Sequence, residues 1–328
     1  MQNKQTISLA WHKNWSISFK YVFKMKRNYW TGLLMIGTVF LFLHSSCNEK
    51  KENNKKEAKE EVKNTSLQQT SYDFLHPAGK WVLSDSLAEI SGIVFLKNER
   101  ILAIEDMRPI LYELKLGDTA ATITNKTEFK ETDKEKFDFE DLAMIGDTVY
   151  ALWSHGAIFK IIKQKKGVKS ERTKTWLKKD NNTEGLAYDP LSGNLLVACK
   201  DDAGLEDVKK STRAIFEFDT KADSLKTNPF MLINKSDFEN VAGEKIDFYP
   251  AAIAVHPITH DIFIISTKDT KCIAQFTHEG KLKAFDYLDK EMLPQPEGIC
   301  FDPKGNLYIS TEARHGKPPY IYEFAMKK

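Results

Sequence analysis

A motif recurs five times along this chain and restricts what it can fold into. Each copy has an acidic or small-residue corner, an apolar strand, a tight turn and a second apolar strand. The corners are Glu89-Ile90-Ser91-Gly92, Glu140-Asp141-Leu142-Ala143, Glu184-Gly185-Leu186-Ala187, Pro250-Ala251-Ala252-Ile253 and Glu297-Gly298-Ile299-Cys300. Their spacings are about 51, 44, 67 and 46 residues, near the 40–50-residue period of β-propeller blades. A single unit cannot bury both of its faces, so the units must pack around a common axis. Turn signals separate the strands, among them Gly146-Asp147, Ser192-Gly193-Asn194 and Lys304-Gly305-Asn306. Such residues tolerate the positive φ that short hairpins require.

The second strands, such as Leu195-Leu196-Val197-Ala198 and Ile262-Phe263-Ile264-Ile265, are continuous apolar runs. This is the pattern of a strand covered on both faces. The fifth copy runs out of chain after its third strand at Phe324. Trp81-Val82-Leu83, which precede the first copy, are predicted to supply its missing outer strand and close the ring. The expected fold is all-β, a propeller of five blades. The long step between residues 184 and 251 leaves room for a sixth. The polar stretches Asp201–Thr212 and Asn234–Phe248 favour an insertion there instead.

The N-terminal part reads differently. Residues 1–47 divide into an upstream extension and a leader starting near Met25. The leader has a basic start, an apolar run from Trp30 to Leu43, then Ser45-Ser46-Cys47. A run of this length suits a signal peptide better than a bilayer span. Small residues directly before Cys47 resemble a bacterial lipobox, which makes Cys47 the expected lipidation site. The alternative is an uncleaved membrane anchor. Residues 48–73, rich in Lys and Glu, are expected to form a flexible tether, with the folded body spanning 74–328. The expected location is the cell envelope, with the membrane reached through the lipid. Cys199, Cys272 and Cys300 lie in different repeats and are expected to be buried thiols. A formal net charge of +2 gives no nucleic-acid footprint, and the body is expected to be monomeric.

Strand direction gathers the corner carboxylates Glu89, Glu140, Glu184 and Glu297 at one channel mouth. The residues after the second strands should ring them: Glu105, Asp106, His155, Lys200, Asp201, Asp269, Glu312 and Arg314. Converging carboxylates repel unless a cation or protons intervene. Three readings stand. The glutamates hold a divalent ion, for which Ca²⁺ suits an all-oxygen shell best. They cap backbone N–H groups of neighbouring blades. Or they serve acid–base chemistry, with His155 as the candidate catalytic base.

The segments 88–93, 139–143, 182–190 and 295–303 together resemble the SdiA-regulated family of bacterial envelope proteins, over residues from about 80 onward. The leader and tether also resemble those of Bacteroidetes-type lipoproteins. The family resemblance implies an exported β-propeller without a settled activity. Phytase-like esterase and lactonase propellers share the Glu-Gly-Leu/Ile corner. The expected function is therefore binding of a small molecule or protein at the mouth, with metal-dependent hydrolysis as one alternative and a purely structural or interaction role as the other.

Overall fold

The computed structural model describes residues 68–130 and 136–327. Within them twenty strands, numbered in chain order, form five four-stranded antiparallel sheets. Blade I holds β2 (Ile90–Leu96), β3 (Arg100–Glu105), β4 (Ile110–Leu116) and β5 (Ala121–Glu128). Blade II holds β6 (Phe139–Ile145), β7 (Thr148–Trp153), β8 (Ile158–Lys163) and β9 (Val168–Thr173). Blade III holds β10 (Thr183–Asp189), β11 (Asn194–Cys199), β12 (Arg213–Asp219) and β13 (Ser224–Ile233). Blade IV holds β14 (Pro250–Val255), β15 (Ile262–Ser266), β16 (Cys272–Phe276) and β17 (Leu282–Tyr287). Blade V holds β18 (Pro296–Phe301), β19 (Leu307–Thr311), β20 (Tyr320–Phe324) and, from the other end of the chain, β1 (Gly79–Val82).

The ring closes as the sequence predicts: β1 pairs antiparallel with β20, from Gly79↔Glu323 to Val82↔Tyr320. There is no sixth blade among the described residues. The surplus length between the third and fourth copies goes into the 200–212 loop, a ten-residue β13 and two short helical turns, Lys235–Phe238 and Glu239–Ala242. Phe238 and Val241 from those turns are buried in the core between blades III and IV. The insertion is polar outside and anchored within, which is why its periodicity is faint.

The body begins earlier than expected. Residues 68–73, read from composition as the end of a tether, are packed. Tyr72 is buried and donates its hydroxyl to the Gly305 carbonyl at 2.6 Å. Thr70 donates both its N–H and its hydroxyl to Asp286, at 2.8 and 2.7 Å. Lys327 donates its N–H to the Ser71 carbonyl. Six residues with two buried partners escape a composition argument because their contacts lie far away in sequence. Cys47, the leader and residues 48–67 lie outside the described residues.

Every innermost strand begins with the same irregularity. The register shifts between Ile90 and Ile93, Phe139 and Asp141, Thr183 and Gly185, Pro250 and Ala252, and Pro296 and Ile299. Such bulges re-aim side chains, and here each one falls in the repeat corner. The opposite ends of these strands carry the Asp-Pro and His-Pro pairs. Asp189, Asp302 and His256 each accept backbone N–H groups of the hairpin that follows. The thiols of Cys199, Cys272 and Cys300 are unpaired and buried, and burial holds all three above the usual thiol range.

Candidate functional site: a carboxylate mouth

The bulges align Ser91, Glu140, Glu184, Ala251 and Glu297 at one level of the five blades. Glu89 is therefore not the equivalent of the other three glutamates. It lies two residues before the bulge, at the level of Asp138, Asn182, Tyr249 and Gln295. The sequence motif misaligned this copy because Glu89-Ile90-Ser91-Gly92 carries its Glu two positions outside the Glu-Gly pattern. The residues facing this level from the second strands are Asp106, Ser154, Lys200, Thr267 and Glu312.

Three glutamates and one lysine make the inner group. The Lys200 ammonium contacts Glu184 Oε2 at 2.8 Å, and both side chains are largely buried. Asn182 donates to the other oxygen of Glu184 at 2.7 Å. Gln295 donates its side-chain amide to Glu297. Burial and the Glu184 charge push Glu297 up to about 8, Lys200 opposing them. Burial, then Glu184, Asp138 and Glu297, hold Glu140 well above the ordinary carboxylate range. Burial also raises Glu184, although Lys200 and Asn182 work against it. Burial works against the charge of Lys200, but Glu184, Glu297 and Glu140 hold its ammonium above the usual lysine range.

An outer group forms around Glu89. Burial and the charge of Glu89 push Glu312 up to about 7. Burial, Glu105, Glu89 and Asp138 push Asp106 up to about 6. Two oxygens here are shielded from solvent, Asp106 Oδ1 and Glu312 Oε2, and the first has no hydrogen-bond partner. Arg314 stands 3.2 Å from that Glu312 oxygen but is half exposed. Ser154 donates its hydroxyl to Asp138 at 2.7 Å.

The other expected mouth residues are placed as follows. Glu105 is consumed locally, accepting from the Met107 N–H and pairing with Arg108. Asp201 lies 3.7 Å from Lys268, and both Lys268 and Arg213 stand over the Tyr249 ring. Asp269 is exposed in a turn with φ of 60°. His155 stacks on Trp153, with ring centroids 6.0 Å apart and planes 4° apart. It joins a groove beside Arg172 and Lys174, and no inner-group carboxyl is among its contacts. The base that the hydrolytic alternative drew from sequence is thus turned to other neighbours. Among the described residues no set of three or more His, Cys, Asp or Glu side chains forms a metal-binding group. The cation that meets the inner glutamates is Lys200, a residue that the sequence placed at the mouth without a partner.

Beneath the inner group lies a residue that sequence reasoning missed. Asp141 is buried and its carboxylate accepts from the Leu142 N–H at 2.8 Å and the Leu186 N–H at 2.7 Å. The Ile253 N–H bonds it as well. Its partners come from blades II, III and IV. Gly92 of blade I is so close that a β-carbon there would fall 2.5 Å from Asp141 Oδ1. The charge of Glu297 in blade V also acts on it. Groups of blades I, II, III and IV thus meet at this one carboxylate, where their innermost strands converge. Burial raises it well above the ordinary range, and the three N–H bonds oppose that shift. A signal was present: the aligned positions in the other copies are Gly92, Gly185, Ala252 and Gly298.

The SdiA-regulated family model matches residues 78–324, which span the propeller from its closing strand to the end of β20. The chain belongs to the SdiA-regulated family. No curated protein matches it. Among solved structures this SdiA-regulated protein is similar to the glutaminyl cyclase of Myxococcus xanthus. The TM-score is 0.51 at 13% identity, over 76% of this chain and 95% of that one. A PQQ-bound aldose sugar dehydrogenase from Streptomyces coelicolor gives 0.45 at 9% identity, over 77% and 97%. A calcium structure of a Trichoderma reesei carbohydrate-active enzyme of family AA12 gives 0.42 at 11%, over 80% and 99%. At these identities the likeness concerns the fold alone, which hosts many unrelated chemistries.

Proposed function

We propose that this SdiA-regulated protein is a lipid-anchored envelope propeller that binds a cation-bearing ligand at its mouth. The observation that carries the reading is a buried group of mutually repelling carboxyls in which Asp106 Oδ1 has no hydrogen-bond partner and Glu312 Oε2 meets only the half-exposed Arg314, at 3.2 Å. A buried acceptor without a donor is costly, and a ligand bringing positively charged donors removes both the vacancy and the repulsion. The ammonium of Lys200 on Glu184 is an internal example of a cation the mouth accommodates. This reading favours an amine over the calcium ion expected from sequence, because an ammonium needs two or three acceptors where Ca²⁺ needs six to eight oxygens.

Such binding competes with protons. Asp106, Glu312 and Glu297 sit near 6, 7 and 8 in the folded state. Cation affinity should therefore rise with pH through that window. The sign for stability is the reverse. Carboxyls raised by folding contribute stability that is full below the ordinary carboxylate range and is lost as pH rises through their folded values. The mouth is least content at alkaline pH and empty of ligand. Titration of the folded body with the diamine putrescine, followed by calorimetry, tests this. Binding should be tighter near pH 8 than near pH 6, should release protons, and should weaken about tenfold in Glu312→Gln, the scale of one charge-assisted hydrogen bond. Calcium chloride titrated in parallel is the other arm. Calcium binding without amine binding would return the site to the metal reading, and affinity indifferent to both pH and Glu312 would overturn the mouth as the site.

The anchoring half of the proposal rests on residues 25–47. Cys47→Ala is expected to shift the protein from the membrane fraction to the soluble fraction or to block its processing. An unchanged mature mass and unchanged fractionation would sink it.

A further inference from the structure

The charges of the mouth are divided by side. Blades I, II and V bring Glu89, Asp106, Asp138 and Glu312, with Arg314 as the one cation on Glu312. Blades III and IV bring Lys200, Arg213, Lys268 and Lys271. Three of these four cations are met within the fold. Lys200 has Glu184. Lys268 has Asp201 at 3.7 Å and the Tyr249 ring at 4.5 Å. Arg213 is buried, donates to the Asp201 and Lys210 carbonyls at 3.1 and 2.8 Å, and stands 4.4 Å from the same Tyr249 ring.

Lys271 differs from them. It ends the loop between β15 and β16 and is half-buried. Its ammonium donates to a neutral acceptor, the Thr267 carbonyl, at 3.2 Å. No carboxylate among the described residues stands within ion-pair distance of it. The charges that reach it place it beside the inner group. Glu297 of blade V attracts it, while Lys290, Arg314 and Lys200 repel it. Burial holds this amine below the usual lysine range, with Glu297 opposing. Glu297 is a poor counter-ion at neutral pH, because it keeps its proton up to about 8. Glu312 acts on Glu297 in turn, and Asp106 acts on Glu312. The rim therefore runs from Lys271 on blade IV, through Glu297 and Glu312 on blade V, to Asp106 on blade I.

A half-buried ammonium without an anion and a shielded carboxylate oxygen without a donor are each costly. A plain cation in the mouth is repelled by Lys271, and a plain anion by Asp106 and Glu312. An occupant bearing both charges offsets both costs.

We propose that the ligand of the mouth is a small zwitterion, its ammonium held by Asp106 and Glu312 and its carboxylate by Lys271. The proposal rests on the mouth reading above and narrows it from cation-bearing ligands in general to amino acids and molecules like them.

The test is calorimetry on the full chain near pH 8, above the folded values of Asp106 and Glu312. The probes are β-alanine, γ-aminobutyrate and ε-aminocaproate, each set against the alkylamine of equal carbon count: propylamine, butylamine and hexylamine. At the length that fits the rim, the amino acid should bind about tenfold tighter than its amine, the scale of one charged contact. Lys271→Gln should erase that margin without weakening the amine, and Lys271→Arg should keep it. Neither variant should lower the melting temperature, since the side chain gives up a single bond to a neutral acceptor. Amino acids bound no tighter than amines at all three lengths, a margin that survives Lys271→Gln, or butyrate bound as tightly as γ-aminobutyrate would each overturn the proposal. Amines that bind without any margin sink this proposal and leave the mouth reading standing. If no amine binds, putrescine included, both fall.

Discussion

Asp141→Ala is expected to lower the unfolding free energy of the body by about 3–9 kcal/mol, at about 1–3 kcal/mol for each buried N–H left without an acceptor. Three such groups depend on this carboxylate: those of Leu142, Leu186 and Ile253. Whole domains are stable by only about 5–15 kcal/mol, so the variant should sit at the edge of folding. Asp141→Asn keeps one acceptor oxygen and turns an amide against a facing N–H, so it should fall between wild type and alanine. Denaturant unfolding checks both, with the midpoint falling and the slope unchanged. A midpoint equal to wild type in Asp141→Ala would show that the three N–H groups find other partners and that the blades are not held together there.

The second large effect concerns the N-terminal edge of the body. A chain beginning at Ser84 loses β1 and with it the clasp of Thr70, Tyr72 and Phe74. Tyr72, Phe74 and Leu83 are all buried, and at about 1.5–3 kcal/mol per buried apolar side chain their removal alone is worth about 4.5–9 kcal/mol. It also leaves β20 as a bare edge, a template for pairing with other chains. The expected result is a species that fails to melt cooperatively and elutes as aggregate. A chain beginning at Ser71 should fold but melt lower than one beginning at Gln68, since Asp286 then loses both donors from Thr70. Equal melting curves for the chains starting at 68 and 84 would refute closure by β1.

The period of the chain was legible because each blade repeats a local pattern: apolar strand, positive-φ turn, apolar strand. That pattern sufficed for five blades and for the strand that closes them. It could not show Thr70 and Tyr72 as part of the body, because their partners Asp286 and Gly305 are more than two hundred residues away. At the mouth, residue identity was readable and pairing was not. Glu140, Glu184 and Glu297 come together as strand direction requires, but the bulge decides that Glu89 joins Asp106 and Glu312 instead. Lys200 was visible as a mouth residue, and only the fold makes it the counter-charge of Glu184. Asp141 was visible as the odd member of a column of small residues. The lesson is specific to repeats, where a copy that departs from its siblings marks the place at which symmetry is put to use.

Closure through β1 also sets an order of events. The strand that completes blade V is synthesised before any blade, yet its partner β20 is made last, and the Tyr72–Gly305 contact spans 233 residues. Loop closure over such distances is slow. The first four blades can therefore hairpin locally as they emerge, while the ring stays open until the final strand has left the ribosome. A nascent chain of this protein carries an unsatisfied strand at its head throughout elongation, and chaperones that hold extended chains would find it there for the whole of that time.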